Sequence, residues 1–234
     1  CQGLQTSISR SRVGNRRRCI LASLAGGVTP GDIELGSKEE KTLGLRWFYE
    51  SDEVGFRTRP RDPKDIEART PTKREVTSAV MSTFDPMGLA SPVLIEGKAL
   101  IQSIWRSGID WDDVILEKDE VAWKRYMENL RMLQGLRIAR CFSYCNTEGE
   151  LHTFTDASEK AYACAVYWRQ RTDESTYRVT LLAGKARVTP LRPVSIPRLE
   201  LQAALLVTRM AQAIANELDI AAAEGRTGLT PVQF

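Results

Sequence analysis

The sequence predicts a mixed α+β fold in which a helical module precedes a small three-stranded sheet and a final helix. Three observations favour this class. Apolar residues recur every three or four positions between residues 72 and 135, whereas they alternate between residues 151 and 185. A third is an apolar helix predicted from residue 197 to about residue 217. With 234 residues, the chain is long enough for one or two domains with a hydrophobic core.

The N-terminal part of the sequence predicts a loop-rich segment followed by a hairpin. Residues 1–40 show little periodicity and many glycine, serine and arginine residues. Large residues alternate over residues 43–49, which predicts a strand, and residues 54–57 would form the returning strand. Residues 60–71 are predicted to be a polar linker.

Helix signals begin directly after this linker. Thr72 and Glu75 have the spacing of a capping box, in which each side chain binds a backbone N–H group of the first turn. The sequence Asp85-Pro86-Met87-Gly88 has turn chemistry and is predicted to end the helix. The apolar residues expected on one face of this helix are Val76, Val80 and Phe84.

Two further helices are predicted in the same module. Ser91-Pro92 is typical of a helix start, with serine as N-cap and proline as the first helical residue. Gly108 would lie just beyond the end of this helix. A third helix is predicted over residues 117–133. Together these signals predict a compact helical module over residues 72–135.

Strand patterns replace helical ones after residue 137. The strand candidates are residues 151–155, 162–169 and 176–185, with a hairpin tip near Glu174. A helix follows from Pro197. The residues expected on one face of that helix are Leu201, Leu205, Thr208 and Ile214.

Composition excludes some classes of protein. No run of 18 apolar residues occurs, so a membrane span is not expected. Five cysteines and a single histidine lack the spacing of a zinc site, and we expect free thiols in a reducing compartment. The formal net charge of +3 is weak support for nucleic-acid binding. Local charge is more informative, because residues 180–198 contain basic residues and no acid. These basic residues are Lys185, Arg187, Arg192 and Arg198.

Two carboxylates have positions that suit metal-dependent chemistry. Asp156 ends the first strand of the predicted sheet, and Glu200 follows 44 residues later in the first turn of the final helix. Hydrolysis of phosphodiesters by two metal ions needs several carboxylates around cations that lie roughly 3.5–4 Å apart. Each residue also has a simpler explanation, since aspartate often begins turns and glutamate is favoured near a helix N-terminus.

His152 shares a predicted strand face with Phe154 and Asp156. It would contact nucleic acid, tune Asp156, or be a partly buried strand histidine. Other catalytic motifs are absent from the sequence. We find no Gly-rich phosphate loop, no Gly-x-Ser-x-Gly elbow, no aspartic-protease motif and no polymerase aspartate pair.

Six blocks in a fixed order carry a family resemblance over about residues 40–220. They are residues 41–47 (KTLGLRW), 84–92 (FDPMGLASP), 109–113 (IDWDD), 154–158 (FTDAS), 184–188 (GKARV) and 196–201 (IPRLEL). Through these blocks the chain resembles the Pol polyprotein of BEL/Pao-type LTR retrotransposons. The family label "Pao retrotransposon peptidase" is attached to such stretches, but no residue here supports proteolysis.

The resemblance implies a place in the polyprotein, from the end of reverse transcriptase to the start of a ribonuclease H-like domain. Residues 1–60 would be a remnant of the reverse-transcriptase palm with a hairpin, and residues 61–136 a helical module like the thumb or connection. Residues 137–220 would be the N-terminal half of the ribonuclease H-like domain, with its three-stranded sheet and helix, and residues 221–234 an unpatterned tail.

The resemblance also assigns Asp156 and Glu200 as catalytic carboxylates and Mg²⁺ ligands. A third carboxylate is expected on a fourth strand after Ile220, and no such strand is found in the sequence. Because the chain also begins with Cys1, we expect a fragment whose catalytic site is incomplete and which does not hydrolyse RNA by itself.

Three hypotheses for function follow. The first is a piece of retrotransposon Pol whose parent copies RNA into DNA and degrades the RNA of RNA–DNA hybrids. The four basic residues of 180–198 would then contact phosphates without reading sequence. The second is a non-catalytic nucleic-acid-binding or interaction module, and the third is a decayed copy without function. Expected partners are an RNA–DNA hybrid and the rest of Pol, without a membrane. The expected location is intracellular and cytoplasmic, in virus-like particles if the element is active.

Overall fold

The computed structural model describes residues 18–19, 39–42, 45–58, 69–143, 149–192 and 194–218. Within these residues the fold is mixed α+β, with a helical module followed by a three-stranded sheet and a helix, as predicted. The loop-rich segment and the linker predicted from sequence lie largely outside the described residues. The predicted tail, 221–234, lies wholly outside them.

The predicted hairpin forms part of a small antiparallel sheet. Strands β3 (Leu45–Phe48) and β4 (Glu53–Phe56) pair through a turn in which Asp52 has a φ of 54°. Aspartate tolerates this left-handed conformation better than most residues. The sheet has the order β2-β3-β4-β5, with β2 at Glu39–Thr42 and β5 at Ile138–Ala139. Strands β1 (Arg18–Cys19) and β6 (Cys141–Ser143) form a separate pair.

Helix α1 (Lys73–Met81) begins as the sequence predicts. The Thr72 hydroxyl accepts the Glu75 N–H at 3.3 Å, and the Glu75 carboxylate accepts the Thr72 N–H at 2.9 Å. Val76 and Val80 are buried. The prediction for Phe84 is wrong, because the helix ends three residues earlier and this side chain is 56% exposed.

Helices α2 (Ser91–Arg106) and α3 (Glu117–Gly135) complete the helical module. The N-cap of α2 is Ala90 rather than Ser91, so the predicted start is wrong by one residue. Gly108 follows α2 with a φ of +73°, as its predicted role requires. One hydrophobic core joins the three helices to the hairpin. Its largest fully buried side chains are Leu45, Phe56, Val76, Ile104, Trp123, Tyr126, Met127 and Leu130.

The second part of the fold, called here the sheet unit, is an antiparallel sheet covered on one face by a helix. It comprises β7 (Gly149–Ala157), β8 (Ala161–Arg171), β9 (Tyr177–Val188) and α4 (Ile196–Glu217), with sheet order β7-β8-β9. Every second residue of β8 from 162 to 170 is buried. Helix α4 covers this face with Leu199, Ala203 and Val207.

The predicted apolar face of α4 is therefore wrong for most of its members. Leu201 and Leu205 are 70% and 51% exposed, and Thr208 is exposed as well. Only Ile214 packs inward. The reason is that α4 has leucine or alanine on nearly every side, so that spacing alone does not select the face that meets the sheet.

The structure bears on two further features, membrane-spanning helices and the state of the cysteines. Within the described part of the chain, no helix is both long and apolar enough to cross a membrane. The expectation that all cysteines are free thiols is wrong, because Cys141 is disulfide-bonded. Cys164, by contrast, is a free and buried thiol.

Candidate carboxylate and nucleic-acid site

Asp156 lies one residue before the end of β7, next to a tight turn that leads into β8. Its backbone pairs with Ala163, and its side chain is exposed. The turn is closed by Ser158, whose N–H donates to the Ala161 carbonyl at 2.8 Å. The Ser158 hydroxyl also accepts the Ala161 N–H at 3.2 Å. This local network fixes the strand end that carries Asp156.

Glu200 is the fifth residue of α4 and is exposed, so the predicted place in the first turn is wrong, because the helix begins at Ile196 and its first turn contains no acidic residue. The preceding residue, Leu199, is buried in a cluster with Tyr162 and Ala203, and Ala157 packs against the same cluster. Asp156 precedes Ala157 and Glu200 follows Leu199, and these two apolar residues pack in the same cluster. The structure places both carboxylates at the same end of the sheet unit. The side chain of Asp156 is on the same face of the sheet as Ala163. Helix α4 covers the opposite face, which carries Tyr162.

The donor set at this end is small. No group of three or more histidine, cysteine, aspartate or glutamate residues lies close enough to hold a metal ion within the described ranges. Protein sites for Mg²⁺ often use one or two carboxylates, and water and phosphate oxygens complete the coordination. Asp156 and Glu200 are donors of this type, with Asp156 on the open face of the sheet and Glu200 on the helix that covers the other face. Their role as catalytic residues and metal ligands stays a prediction.

Lys185 and Arg187 project from β9 on the same face of the sheet that α4 covers at β8. In the strand register Lys185 is opposite Cys164 and Arg187 is opposite Tyr162. Both cations are exposed. Burial raises the pKa of the Cys164 thiol, and the charges of Lys185 and Arg187 oppose this rise. That electrostatic effect reflects how close both cations lie to this face of the sheet.

The same register places these cations close to the carboxylate end. Ala157, Tyr162 and Arg187 form one row across the three strands. Because neighbouring strands lie roughly 4.8 Å apart, the backbone of Arg187 is about 10 Å from β7. The register therefore brings the basic strand and the strand end of Asp156 to the same end of the sheet, with Asp156 on the opposite face from Lys185 and Arg187.

Arg192 and Arg198 are exposed; Arg192 lies in the connection from β9 to α4, and Arg198 lies in the first turn of α4. Thr189 anchors the start of this connection to the β7–β8 turn. Its N–H donates to the Lys160 carbonyl at 3.0 Å, and its hydroxyl donates to the Glu159 carbonyl at 2.7 Å. The four predicted basic residues therefore belong to the end of the sheet unit that carries Asp156 and Glu200. Their contact with nucleic acid stays a prediction.

His152 lies on the face predicted from alternation, with Phe154 and Asp156. Its ring nitrogen Nε2 is 3.1 Å from a carboxylate oxygen of Glu150, which also pairs with Arg169. The hydrogen bond with His152 is the main cause that lowers the pKa of Glu150. Among the described residues, the partner of His152 is thus Glu150 rather than Asp156.

Sequence reasoning missed the residues that join β9 to the helical module. The Gly184 N–H donates to the Met87 carbonyl at 2.8 Å, and the Gln102 side-chain amide donates to the Thr189 carbonyl at 2.6 Å. The only signal is the turn chemistry of residues 85–88. That signal identifies a turn but not the strand that the turn contacts.

Comparisons with known proteins place the chain in a family. The model of the Pao retrotransposon-like RNaseH-like domain matches residues 72–227. The chain is also similar to the foamy viral protease-reverse transcriptase in complex with dsDNA, at 16% identity and a TM-score of 0.39. The same viral protein in complex with RNA/DNA hybrid gives 14% identity and a TM-score of 0.38. These matches cover 79% of this chain but only 35% and 23% of the viral chains. No curated protein matches the chain.

Proposed function

The chain belongs to the family of Pao retrotransposon-like RNaseH-like domains, and from this we propose that it is the part of a retrotransposon Pol polyprotein that binds RNA–DNA hybrids. One observation carries the proposal. Lys185 and Arg187 are exposed on β9, whose backbone lies about 10 Å, two strand spacings, from the strand of Asp156, at the end of the sheet unit that also carries Glu200.

The proposed contact is electrostatic and independent of sequence. Lysine and arginine neutralise backbone phosphates and release condensed counterions, so binding weakens steeply as salt rises. Arg192 and Arg198 extend the basic surface along the connection to α4. Contacts of this type position a duplex without reading its bases.

We propose that Asp156 and Glu200 would hold Mg²⁺ together with phosphate oxygens of the bound hybrid. When bound, such ions activate a water molecule and stabilise the leaving oxygen. The chain's own contribution is to hold the two carboxylates at the end of β7 and near the start of α4. Two carboxylates are few for two cations, so the proposal is that residues 1–234 bind the hybrid but do not hydrolyse it.

A hydrolysis assay tests this proposal. Purified chain is incubated with a labelled RNA–DNA hybrid and Mg²⁺, with the Asp156→Asn variant as the matched control. The expected result is the same background cleavage in both samples. Robust cleavage by the wild type that is abolished in Asp156→Asn would contradict the proposed inactivity and establish Asp156 as catalytic.

A second candidate function is a non-catalytic interaction module, favoured by the open face of the sheet. Phe154 and Tyr167 meet edge to face with centroids 5.6 Å apart, and Tyr177 and Val179 are 51% and 59% exposed. The Glu150 carboxylate lies on the same face and pairs with His152 and Arg169. Electrophoresis of labelled hybrid separates the two functions, since a mobility shift that weakens with salt supports nucleic-acid binding. Absence of a shift favours the interaction module or a decayed copy.

A further inference from the structure

The strand that carries Lys185 and Arg187 is held by the helical module on both sides of these residues. At one side, the Gly184 N–H donates to the Met87 carbonyl at 2.8 Å. At the other side, the Gln102 amide donates to the Thr189 carbonyl at 2.6 Å. We call these two hydrogen bonds the seam. The two cations lie between them in sequence.

The first hydrogen bond of the seam depends on a close approach of two glycine backbones. A Cβ atom on Gly88 would clash with the carbonyl group of Gly184, and one on Gly184 would lie 2.8 Å from the Gly88 carbonyl oxygen. Gly88 also has a φ of +70°, which disfavours any side chain. Neither glycine is replaceable without moving β9 away from the module.

The segment before Gly88 is itself fixed. The Asp85 carboxylate accepts the N–H groups of Leu89 and Ala90 at 3.0 and 2.8 Å. Packing supports the same arrangement, because Ala183 of β9 belongs to the core of the helical module. Met210 and Ile214 of α4 pack against that core as well. The module thus holds both β9 and the helix above the sheet.

We infer that the helical module is a positioning element for nucleic-acid binding, and that Gly88 and Gln102 keep the basic strand in its binding position. This inference rests on the proposed function, since it concerns the strand through which the hybrid is bound. When only part of the population has the competent strand position, the measured Kd rises by the inverse of that fraction. The bound state then keeps all its phosphate contacts, so the dependence of log Kd on log salt does not change.

The decisive comparison is Gly88→Ala against Gly108→Ala. Both glycines have a positive φ, +70° and +73°, but a Cβ on Gly108 would meet nothing within 4 Å. The control therefore carries the backbone strain without the clash at the seam. We expect Gly88→Ala to raise the Kd for an RNA–DNA hybrid at least tenfold, with an unchanged salt slope and faster amide hydrogen exchange at Gly184. Gly108→Ala should leave the Kd and the exchange rate at wild-type values.

A milder pair of variants covers the case in which Gly88→Ala does not fold. Gln102→Ala removes the hydrogen bond to Thr189, whereas Gln134→Ala removes a similar bond from α3 to the Thr58 carbonyl, away from the seam. We expect Gln102→Ala to raise the Kd about three- to tenfold, as the removal of one hydrogen bond implies, and Gln134→Ala to leave it unchanged.

The outcomes separate this inference from the proposed function. A wild-type chain that does not bind the hybrid overturns both. Wild-type binding with an unchanged Kd in folded Gly88→Ala and Gln102→Ala overturns the positioning role alone. A reduced salt slope in Gln102→Ala would also contradict it, because the slope measures how many phosphates the protein neutralises in the bound state.

Discussion

The helical module and the sheet unit bury their apolar side chains in different ways. The module encloses one continuous core that includes Trp123, Tyr126 and Leu130, each no more than 1% exposed. The sheet unit has three smaller clusters, two between the sheet and α4 and one that also contains Phe142 of β6, and the opposite face of its sheet is open. The difference indicates that the module supplies stability, while the sheet unit presents the charged residues that would meet a ligand.

Packing between the two regions depends on this asymmetry. Ala183 of β9 and Met210 and Ile214 of α4 pack on the core of the module. The sheet unit therefore uses the larger core as a support. We expect the two regions to unfold together, although substitutions in each will differ in effect.

The largest difference is expected for matched leucine truncations. Leu130 in the module and Leu199 in the sheet unit are 0% and 1% exposed. Leu130→Ala should lower the free energy of unfolding by about 3–5 kcal/mol, because the surrounding core cannot collapse into the cavity. Leu199→Ala should cost about 2–3 kcal/mol, since its small cluster at the sheet end relaxes more easily. Urea unfolding followed by circular dichroism measures both, and equal losses would argue against the contrast.

Effects of intermediate size are expected for two glycines of the module, where alanine should destabilise the fold at one position and stabilise it at the other. A Cβ on Gly97 would lie 2.6 Å from the Tyr126 ring, so Gly97→Ala should destabilise the fold by about 1–3 kcal/mol. Gly135 ends α3, and a Cβ there would meet nothing within 4 Å. Gly135→Ala should therefore stabilise by up to about 0.5–1 kcal/mol. Thermal unfolding compares the two, and a neutral Gly97→Ala would show that the core around Tyr126 has room for an extra methyl group.

A small effect is expected on the open face of the sheet. Val179 is 59% exposed, so Val179→Thr should change the free energy of unfolding by less than about 0.5 kcal/mol. Hybrid binding should also be unchanged, because Val179 lies six residues along β9 from Lys185, opposite Arg169 and far from the strand end of Asp156. A loss of stability comparable to that of Leu199→Ala would mean that the open face is covered in solution.

The smallest effect concerns pH and the turn at the seam. Burial raises the pKa of Asp85, against the lowering influence of its backbone hydrogen bonds and of Lys98. A raised carboxyl pKa means that the folded state holds the proton to a higher pH than the unfolded state. The stability contributed by protonated Asp85 is then present below the unfolded pKa, near 3.9, and is lost as pH rises through the folded value.

Asp85→Asn tests this sign. Urea titration at a series of pH values measures the free energy of unfolding of both proteins. As pH rises from about 4, the wild type should lose stability relative to Asp85→Asn. A difference that is constant with pH, or that shifts in favour of the wild type, would show that the pKa of Asp85 is not raised.

Local signals in the sequence predict much of this fold. The capping box at Thr72 and Glu75 locates the start of α1, and alternation places His152, Phe154 and Asp156 on one strand face. Both signals act between residues within one turn or one strand, where spacing determines geometry. The order of helices and strands follows from such signals.

The packing of distant elements is not predictable in the same way. The exposed face of α4 is misassigned from sequence because Leu201 and Leu199 have the same side chain, and only packing distinguishes them. Gly88 is recognisable as a turn residue, but its close approach to Gly184 depends on the arrangement of β9 against α2. For the candidate site, sequence identifies the carboxylates and cations, whereas their common position at one sheet end requires strand register.

The most direct test of the account is a measurement of hybrid binding by fluorescence anisotropy over a range of salt concentrations. The Lys185→Ala/Arg187→Ala double variant is compared with Lys118→Ala/Lys124→Ala, which removes two exposed cations from α3. The first variant should bind more weakly and lose about two units of the salt slope, and the control should match the wild type. Equal weakening in both variants, or no salt-dependent binding by the wild type, would contradict this prediction.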